Sequence, residues 1–411
     1  MKGKRVIKEI KIKNYRGLKQ IMFSPKSINV IVGPNDTGKS SILEAIGLLI
    51  SSGNDFRDML LENEIPFCKE VYLEDFIDYL LNFREYSSRY LIRAGAYKSE
   101  IYGKIKNTDY TLAIEYSKLL KQDDKNKLVI SFLNEIATEN AKLTVEFGDI
   151  MPPPRGGKVH KKDIEKIKQE NFNYFLQRQK LFFTLYKRSE IQNFYIHFDI
   201  KEEKEEEPLI IFPMIDVAEK VFSKGRIRIP LILNFSKLSF SSNIGRLYDL
   251  VFKKGKIPAT VRELSKKIPY ITDIGRTEEE IYISTSRYRE PIPLSSMGDG
   301  FISLLKISFL AALAEEGILI LEEPEASLHP AFLDIIAEKI VNSSELSQFF
   351  ISTHSLDFLY SLLKKAEETE KTDGINVVRL HRKGSDILTE IMDGSEAKIK
   401  IDEIGLDLRQ T

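Results

Sequence analysis

Residues 27–50 read SINVIVGPNDTGKSSILEAIGLLI, and this stretch decides the fold. INVIV is short, apolar and rich in β-branched side chains, as a buried strand is. SSILEAIGLLI has the spacing and length of a helix. Between them Gly33 to Ser40, GPNDTGKS, satisfies G-x-x-x-x-G-K-[ST] in full. In a strand-to-helix turn such a loop curls its backbone N–H groups around a β-phosphate. Lys39 then brings a mobile positive charge to the β- and γ-oxygens, and Ser40 offers its hydroxyl to Mg²⁺. The expected nucleotide-binding residues are Gly33, Pro34, Asn35, Asp36, Thr37, Gly38, Lys39, Ser40 and Ser41. The competing reading, a plain glycine-rich turn, is disfavoured by the strand and helix on either side.

A phosphate loop needs an acid on a neighbouring strand and a group that orients water. Residues 318–330, ILILEEPEASLHP, carry an apolar run that ends on two adjacent glutamates. Glu322 closes the strand, where it can hold Mg²⁺ directly or through water. Glu323 extends past the strand end and can polarise the attacking water. Pro324 restricts the residue before it and so helps fix their direction. The bland alternative has both glutamates capping the strand or pairing with lysines. His354, in FFISTHS, also follows an apolar strand and can hydrogen-bond a γ-phosphate or the water. Taken alone it is equally well a structural histidine. His329, before a proline at a helix start, reads as structural or interfacial. The scattered histidines and Cys68 form no zinc set.

The 411 residues suffice for two domains, or for one with a large insertion. Lys plus Arg equals Asp plus Glu at 61 each, which argues against a protein coated in positive charge but leaves room for a local basic groove. A single cysteine excludes an internal disulfide framework and fits a reducing compartment. No apolar stretch reaches the ~18 residues of a membrane span, and the N-terminus lacks a signal-like core. The expectation is a soluble cytoplasmic protein with no membrane partner.

Further along, DYTLAIEY (109–116) and AKLTVEFGDI (141–150) look like strands with one polar face, and VYLEDFIDYLLNF (71–83) has helical period. Residues 161–195 read as a long charged helix, and KEEKEEEP (201–208) as a solvated acidic loop. VRELSKKIPYITDIG reads as a further helix and EIYISTS as a strand. After residue 290 strands and helices alternate, with INVVRLHR the last substantial strand. That alternation implies a mostly parallel sheet covered on both faces. The expected fold is α/β, a P-loop NTPase with a mostly parallel sheet, an antiparallel lobe and an inserted mixed or helical region. Residues 1–53 and 285–411 are expected to form one discontinuous head. Residues 54–284 are the insertion, carrying antiparallel-lobe strands and an interaction or dimerisation region.

Together these segments resemble the ATP-binding-cassette type of ATPase head, in the branch with RecF, the SMC proteins and the overcoming-lysogenization-defect nucleases. IKEIKIKNYRGLKQIMFSPKSINVIVGPNDTGKSSILEAI follows that branch, including Arg16 after the first strand. LEEPEASLHP resembles its Walker B motif and D-loop, and ISTHS its switch histidine. By that resemblance Glu323 falls on the catalytic glutamate, with Lys39 and His354 beside it. Glu322 stands where many relatives have Asp, although the lysogenization branch often has Glu. PLSSMGDG (293–300) resembles a degenerate signature motif, in which Ser296 and Gly298 would reach nucleotide held by a second copy. On residues alone SSMGDG is an ordinary loop and helix cap. The Q-loop glutamine is not placed; Gln20 and Gln122 are the candidates. The resemblance implies ATP and Mg²⁺ as cofactors and an ATP-dependent homodimer.

Only about 50 residues follow SLDFLYSLLKK, too few for the family's nuclease domain of ~200 residues, so no nuclease activity is expected in this polypeptide. What ATP turnover drives stays open between two expectations. One is DNA repair or antiviral defence, with DNA as a partner and a separate nuclease or effector. It draws on the resemblance and on Lys2, Lys4, Arg5, Lys11, Lys13 and Arg16, which read equally well as a solvated strand face. The other is a nucleotide-controlled protein-binding switch that never touches nucleic acid. A membrane transporter component is a distant third.

Overall fold

The computed structural model describes residues 5–53, 59–61, 91–116, 180–187, 190–192, 198–199, 231–234, 244–278, 280–326, 328, 330–384 and 386–402. It begins with β1 (Ile7–Tyr15), β2 (Leu18–Phe23), β3 (Ile28–Val32) and α1 (Lys39–Gly53). Next come β4 (Met59–Leu61), β5 (Lys98–Ile105), β6 (Thr108–Tyr116), β7 (Lys180–Lys187), β8 (Glu190–Gln192), β9 (Phe198–Asp199) and β10 (Leu231–Asn234). Helices α2 (Ile244–Lys253) and α3 (Ile257–Lys267) precede a small antiparallel sheet of β11 (Ile271–Arg276), β12 (Ile281–Thr285) and β13 (Ile292–Pro293). The chain then alternates through α4 (Asp299–Leu313), β14 (Ile318–Glu322), α5 (Pro330–Ser343), β15 (Gln348–Ser352) and α6 (Leu356–Glu368). It continues with β16 (Ile375–Lys383), β17 (Asp386–Asp393) and α7 (Gly394–Asp402).

Two larger sheets organise these elements. The first has the order β17-β16-β3-β15-β14-β10-β4 and is parallel except for the β16–β17 hairpin. The second is antiparallel, with the order β2-β1-β5-β6-β7-β8 and β9 on β7. INVIV, ILILE and QFFIS are buried at every position, the mark of parallel strands covered on both faces. Their alternation sorts the core. Ile31, Ile318, Ile320 and Phe350 face α1 and the antiparallel lobe, whereas Val30, Val32, Leu319, Leu321, Phe349 and Ile351 join the core of α2 to α6. The result is four layers, with α1 held between the two sheets. Each large apolar side chain so buried contributes roughly 1.5–3 kcal/mol.

A buried amide joins the sheets. Gln348, at the start of β15, accepts from the backbone N–H of Val6 (3.0 Å) and Ile7 (2.7 Å). Its own amide donates to Ile7 O and Lys26 O, both at 2.9 Å. The side chain has no solvent exposure, so all of its hydrogen-bonding capacity is spent on fixing the lobe against the parallel sheet.

Several local expectations change. KLFFTLYK and EIQ are strands β7 and β8, not the end of a helix through 195, because aromatic and β-branched residues suit a pleated lobe edge. IPATVRELSKK is helical, but ITDIGR continues as β11 after Pro269 and Tyr270. INVVRLHRK is followed by a further eight-residue strand, DILTEIMD, turned back at Gly384, whose φ is +62°. LKQIMF, unassigned from sequence, is β2. The readings for 71–83, 141–150 and 201–208, together with Cys68, Gln122 and His329, lie outside the described residues.

Candidate nucleotide site

Three neighbouring parallel strands, β3, β15 and β14, end side by side, and the motif residues lie on the turns that follow them. In open α/β sheets the carboxyl ends of strands are where ligands bind. Gly33 leaves β3 at φ +148°, and a Cβ there would collide with the Leu380 carbonyl and side chain of β16. Gly38 has φ +86°, and a Cβ would lie 2.6 Å from Leu18 Cδ2 of β2. Gly33 therefore requires glycine on two grounds, conformation and space, and Gly38 chiefly on conformation. Asn35 and Asp36 are exposed at the tip, and Asp36 sits at φ +59°. Arg382 Nη2 of β16 donates to the Asp36 carbonyl at 2.6 Å. The Thr37 hydroxyl donates to Pro34 O at 2.8 Å and ties the loop across itself.

Helix α1 starts at Lys39, so its positive end and first N–H groups open toward the loop. Lys39 is 6% exposed, and its Nζ donates to Gly33 O (2.9 Å) and Pro34 O (2.7 Å). Burial pulls the ammonium down to about 8, against the carboxylates of Glu323, Asp36 and Glu322, which favour its charge. Ser41 is buried one position into the helix. The Ser40 hydroxyl donates to Glu322 Oε1, and Glu322 is 4% exposed at the end of β14. A hydroxyl and a carboxylate side by side are hard oxygen donors suited to Mg²⁺. No cluster of three or more His, Cys, Asp or Glu able to hold a metal occurs among the described residues.

Glu323 turns away from the strand at φ +48°, and its N–H donates to Ser352 O of β15 at 2.9 Å. A non-glycine residue stays in that region only when its surroundings hold it. Its Oε1 lies 3.0 Å from His354 Nε2, with both side chains about a third exposed. So the catalytic candidate and the switch candidate face each other at the open edge, while Ser40 and Glu322 meet below.

Sequence reasoning passed over Glu325. Its Oε1 accepts from the Thr353 hydroxyl, from His354 N (3.0 Å) and from Ser355 N (3.2 Å). Burial pushes this carboxyl up, opposed by those hydrogen bonds. Nothing in EPEAS marks this glutamate apart from its neighbours, because its partners come from the next strand. Arg16 is engaged structurally: at φ +50° its guanidinium pairs with the fully buried Glu44 of α1. Lys11 and Lys13 line a hollow of about 420 Å³ on the antiparallel sheet together with Glu9 and Glu100, so the surface there carries mixed charge. Lys2 and Lys4 lie outside the described residues.

Ser296 and Gly298 precede α4 and are exposed, with Phe301 N and Ile302 N donating back to Gly298 O at 2.9 and 3.3 Å. Among the described residues no hydrogen bond or ion pair joins them to the phosphate loop of the same chain. Gly300 packs beneath them, where a Cβ would meet the Phe332 ring of α5 at 2.6 Å. Gln20 is exposed on β2. No helix among the described residues is long and apolar enough to cross a membrane.

The model of the AAA ATPase domain matches residues 6–359. The chain is 30% identical over 115 residues to the uncharacterized protein MJECL11 of Methanocaldococcus jannaschii, a match covering 28% of this chain and 99% of that protein. Among solved structures it is similar to an SmcHead bound to the C-winged helix domain of ScpA, at 12% identity and TM-score 0.47, covering 96% of this chain and 100% of the other. It is also similar to the SMC head domain from Thermotoga maritima, at 14% identity and TM-score 0.45, covering 95% and 100%. The architecture is a mixed parallel and antiparallel α/β P-loop ATPase fold, and the chain belongs to the AAA ATPase domain family.

Proposed function

We propose that the chain binds and hydrolyses ATP with Mg²⁺ and couples turnover to closure of a homodimer. The observation that carries this reading is the meeting of Lys39, the Ser40–Glu322 pair and the Glu323–His354 pair at the ends of three adjacent strands. Lys39 steadies the β- and γ-phosphates, and residues 33–41 cradle them through backbone N–H groups. Ser40 and Glu322 hold Mg²⁺, which when bound neutralises charge on the phosphate oxygens. Glu323 accepts hydrogen bonds from the attacking water and takes its proton. His354, within reach of Glu323, orients that carboxylate and senses the γ-phosphate.

Dimer closure rests on Ser296 and Gly298. Their exposed place before α4 leaves a helix N-terminus open to a phosphate brought by a second copy. Residues 1–53 and 285–411 are read as the head, joined by β4 and β10 of the parallel sheet and by the antiparallel-lobe strands that 54–284 contributes, with partner recognition also assigned to 54–284. For output, DNA repair or antiviral defence with a separate effector is the first reading. A nucleotide-controlled protein-binding switch is the second, favoured by the mixed charge beside Lys11 and Lys13.

The deciding experiment compares steady ATP turnover of wild type and Glu323→Gln and weighs the variant with and without ATP. Wild-type turnover, a stalled variant and an ATP-favoured dimer are expected. Equal rates would remove Glu323 from its role. DNA binding at low salt, with and without ATP, separates the two outputs, since phosphate contacts weaken steeply with salt.

A further inference from the structure

The turn after β14 and the turn after β15 are joined at three places. Glu323 N donates to Ser352 O (2.9 Å), and His354 Nε2 meets Glu323 Oε1 (3.0 Å). The third join is the Glu325 carboxylate, whose Oε1 gathers the Thr353 hydroxyl and the backbone N–H groups of His354 and Ser355. Its Oε2 is buried and accepts no hydrogen bond among the described residues. One oxygen therefore carries the whole contact, and the contact fixes the backbone of the residue whose side chain faces Glu323. Thr353 Oγ1 in turn accepts from Ser355 N at 2.9 Å, and Ser355 Oγ caps α6 by accepting from Phe358 N at 3.1 Å. The latch therefore continues into a rigid helix.

We propose that Glu325 is a positioning residue for ATP hydrolysis, latching residues 353–355 so that the His354 imidazole is held against Glu323. Its hydrogen bonds go to the turn after β15. Glu325 takes no part in the Ser40–Glu322 pair and makes no hydrogen bond to Lys39. Loss of the latch leaves binding intact and misplaces a group at the water side. A displacement of about 1 Å at such a group can cost on the order of 100-fold in rate.

The inference rests on the hydrolytic reading above, and its test separates the two. Steady-state kinetics and ¹⁵N-histidine spectra are compared for the full chain and Glu325→Ala, with the His354 imidazole signal assigned through His354→Gln. The expected result is a kcat lowered roughly 10- to 100-fold with KM for ATP nearly unchanged, and a shifted His354 signal. Glu325→Gln, which keeps an acceptor at Oε1, should recover most of the loss. If Glu325→Ala does not fold, Thr353→Val removes one donor at nearly constant volume and should give a smaller change of the same kind. An unchanged kcat, an unmoved His354 signal, or KM rising in step with the loss overturns the proposal. A wild type that binds ATP without hydrolysing it counts against the hydrolytic reading. The His354 signal still decides the latch in that case, since it needs no turnover.

Discussion

His354 Nε2 and Glu323 Oε1 stand 3.0 Å apart on the turns that follow two neighbouring parallel strands, β15 and β14. Glu323 reaches that point from a left-handed backbone conformation fixed by its own N–H on Ser352 O. The pair lies at the open edge, where water can reach it. The Ser40–Glu322 pair is the more buried of the two, on the side proposed for the metal. The geometry thus gives two adjacent glutamates different partners.

Glu323→Gln should keep the shape and lose the base. General-base contributions run about 10²–10⁴-fold, so turnover should fall by at least two orders of magnitude while ATP affinity stays within a few-fold. Single-turnover hydrolysis beside a fluorescent-nucleotide titration measures both quantities. His354→Ala should reduce turnover less, because it acts through Glu323.

Lys39 predicts a pH dependence. Its folded value of about 8 lies below the ordinary 10.5 because of burial. Between those values the unfolded chain binds the proton and the folded chain does not, so stability gains from this group as pH rises through that window. Below it the burial penalty is fully present, and Lys39→Met should raise the thermal midpoint at pH 7 while abolishing ATP binding. Phosphate favours the charged form, so ATP binding should take up protons above about pH 8 and weaken as pH rises further. Calorimetry in two buffers of different ionisation enthalpy reads that uptake.

Gly33→Ala should destabilise the protein by roughly 1–3 kcal/mol through its backbone conformation alone, with more from the Leu380 carbonyl in its way. Urea unfolding measures the loss. An unchanged midpoint would mean that the loop can rebuild around a Cβ.

Gln348→Leu should be costly in spite of its similar size. It strips partners from Val6 N, Ile7 N, Ile7 O and Lys26 O, and each buried group left unsatisfied costs about 1–3 kcal/mol. A loss above about 2 kcal/mol in urea unfolding is expected. Hydrogen exchange should localise it to the join between β1 and β15.

Ser296→Arg and Lys39→Ala together test action in trans. Each variant alone should be inactive, the first for lack of a donor to the partner's nucleotide and the second for lack of binding. An equimolar mixture should regain turnover, because a mixed dimer keeps one complete site. A mixture as inactive as its components would contradict the shared site.

The phosphate loop, its strand and its helix were legible because every determinant is local. INVIV, the two glycines and SILEAI are contiguous, and Gly33 and Gly38 are demanded by a turn that the motif itself encodes. Alternation after residue 290 likewise revealed the parallel sheet, since strands buried on both faces read as unbroken apolar runs. The antiparallel lobe was less legible: β2 has a mixed pattern although its partner β1 directly precedes it, and β7 pairs with β6, far away in sequence.

What the sequence by itself determined is the chemistry at each strand end: a lysine and a serine after one strand, two glutamates after another, a histidine after a third. Tertiary structure alone decided that these ends are neighbours and that Arg16 is committed to Glu44. It also decided that Gln348 holds the two sheets together and that Glu325 grips the turn carrying His354. The reason is physical. Propensity and periodicity act within a few residues, whereas a buried amide or carboxylate is defined by the donors and acceptors that other strands bring to it.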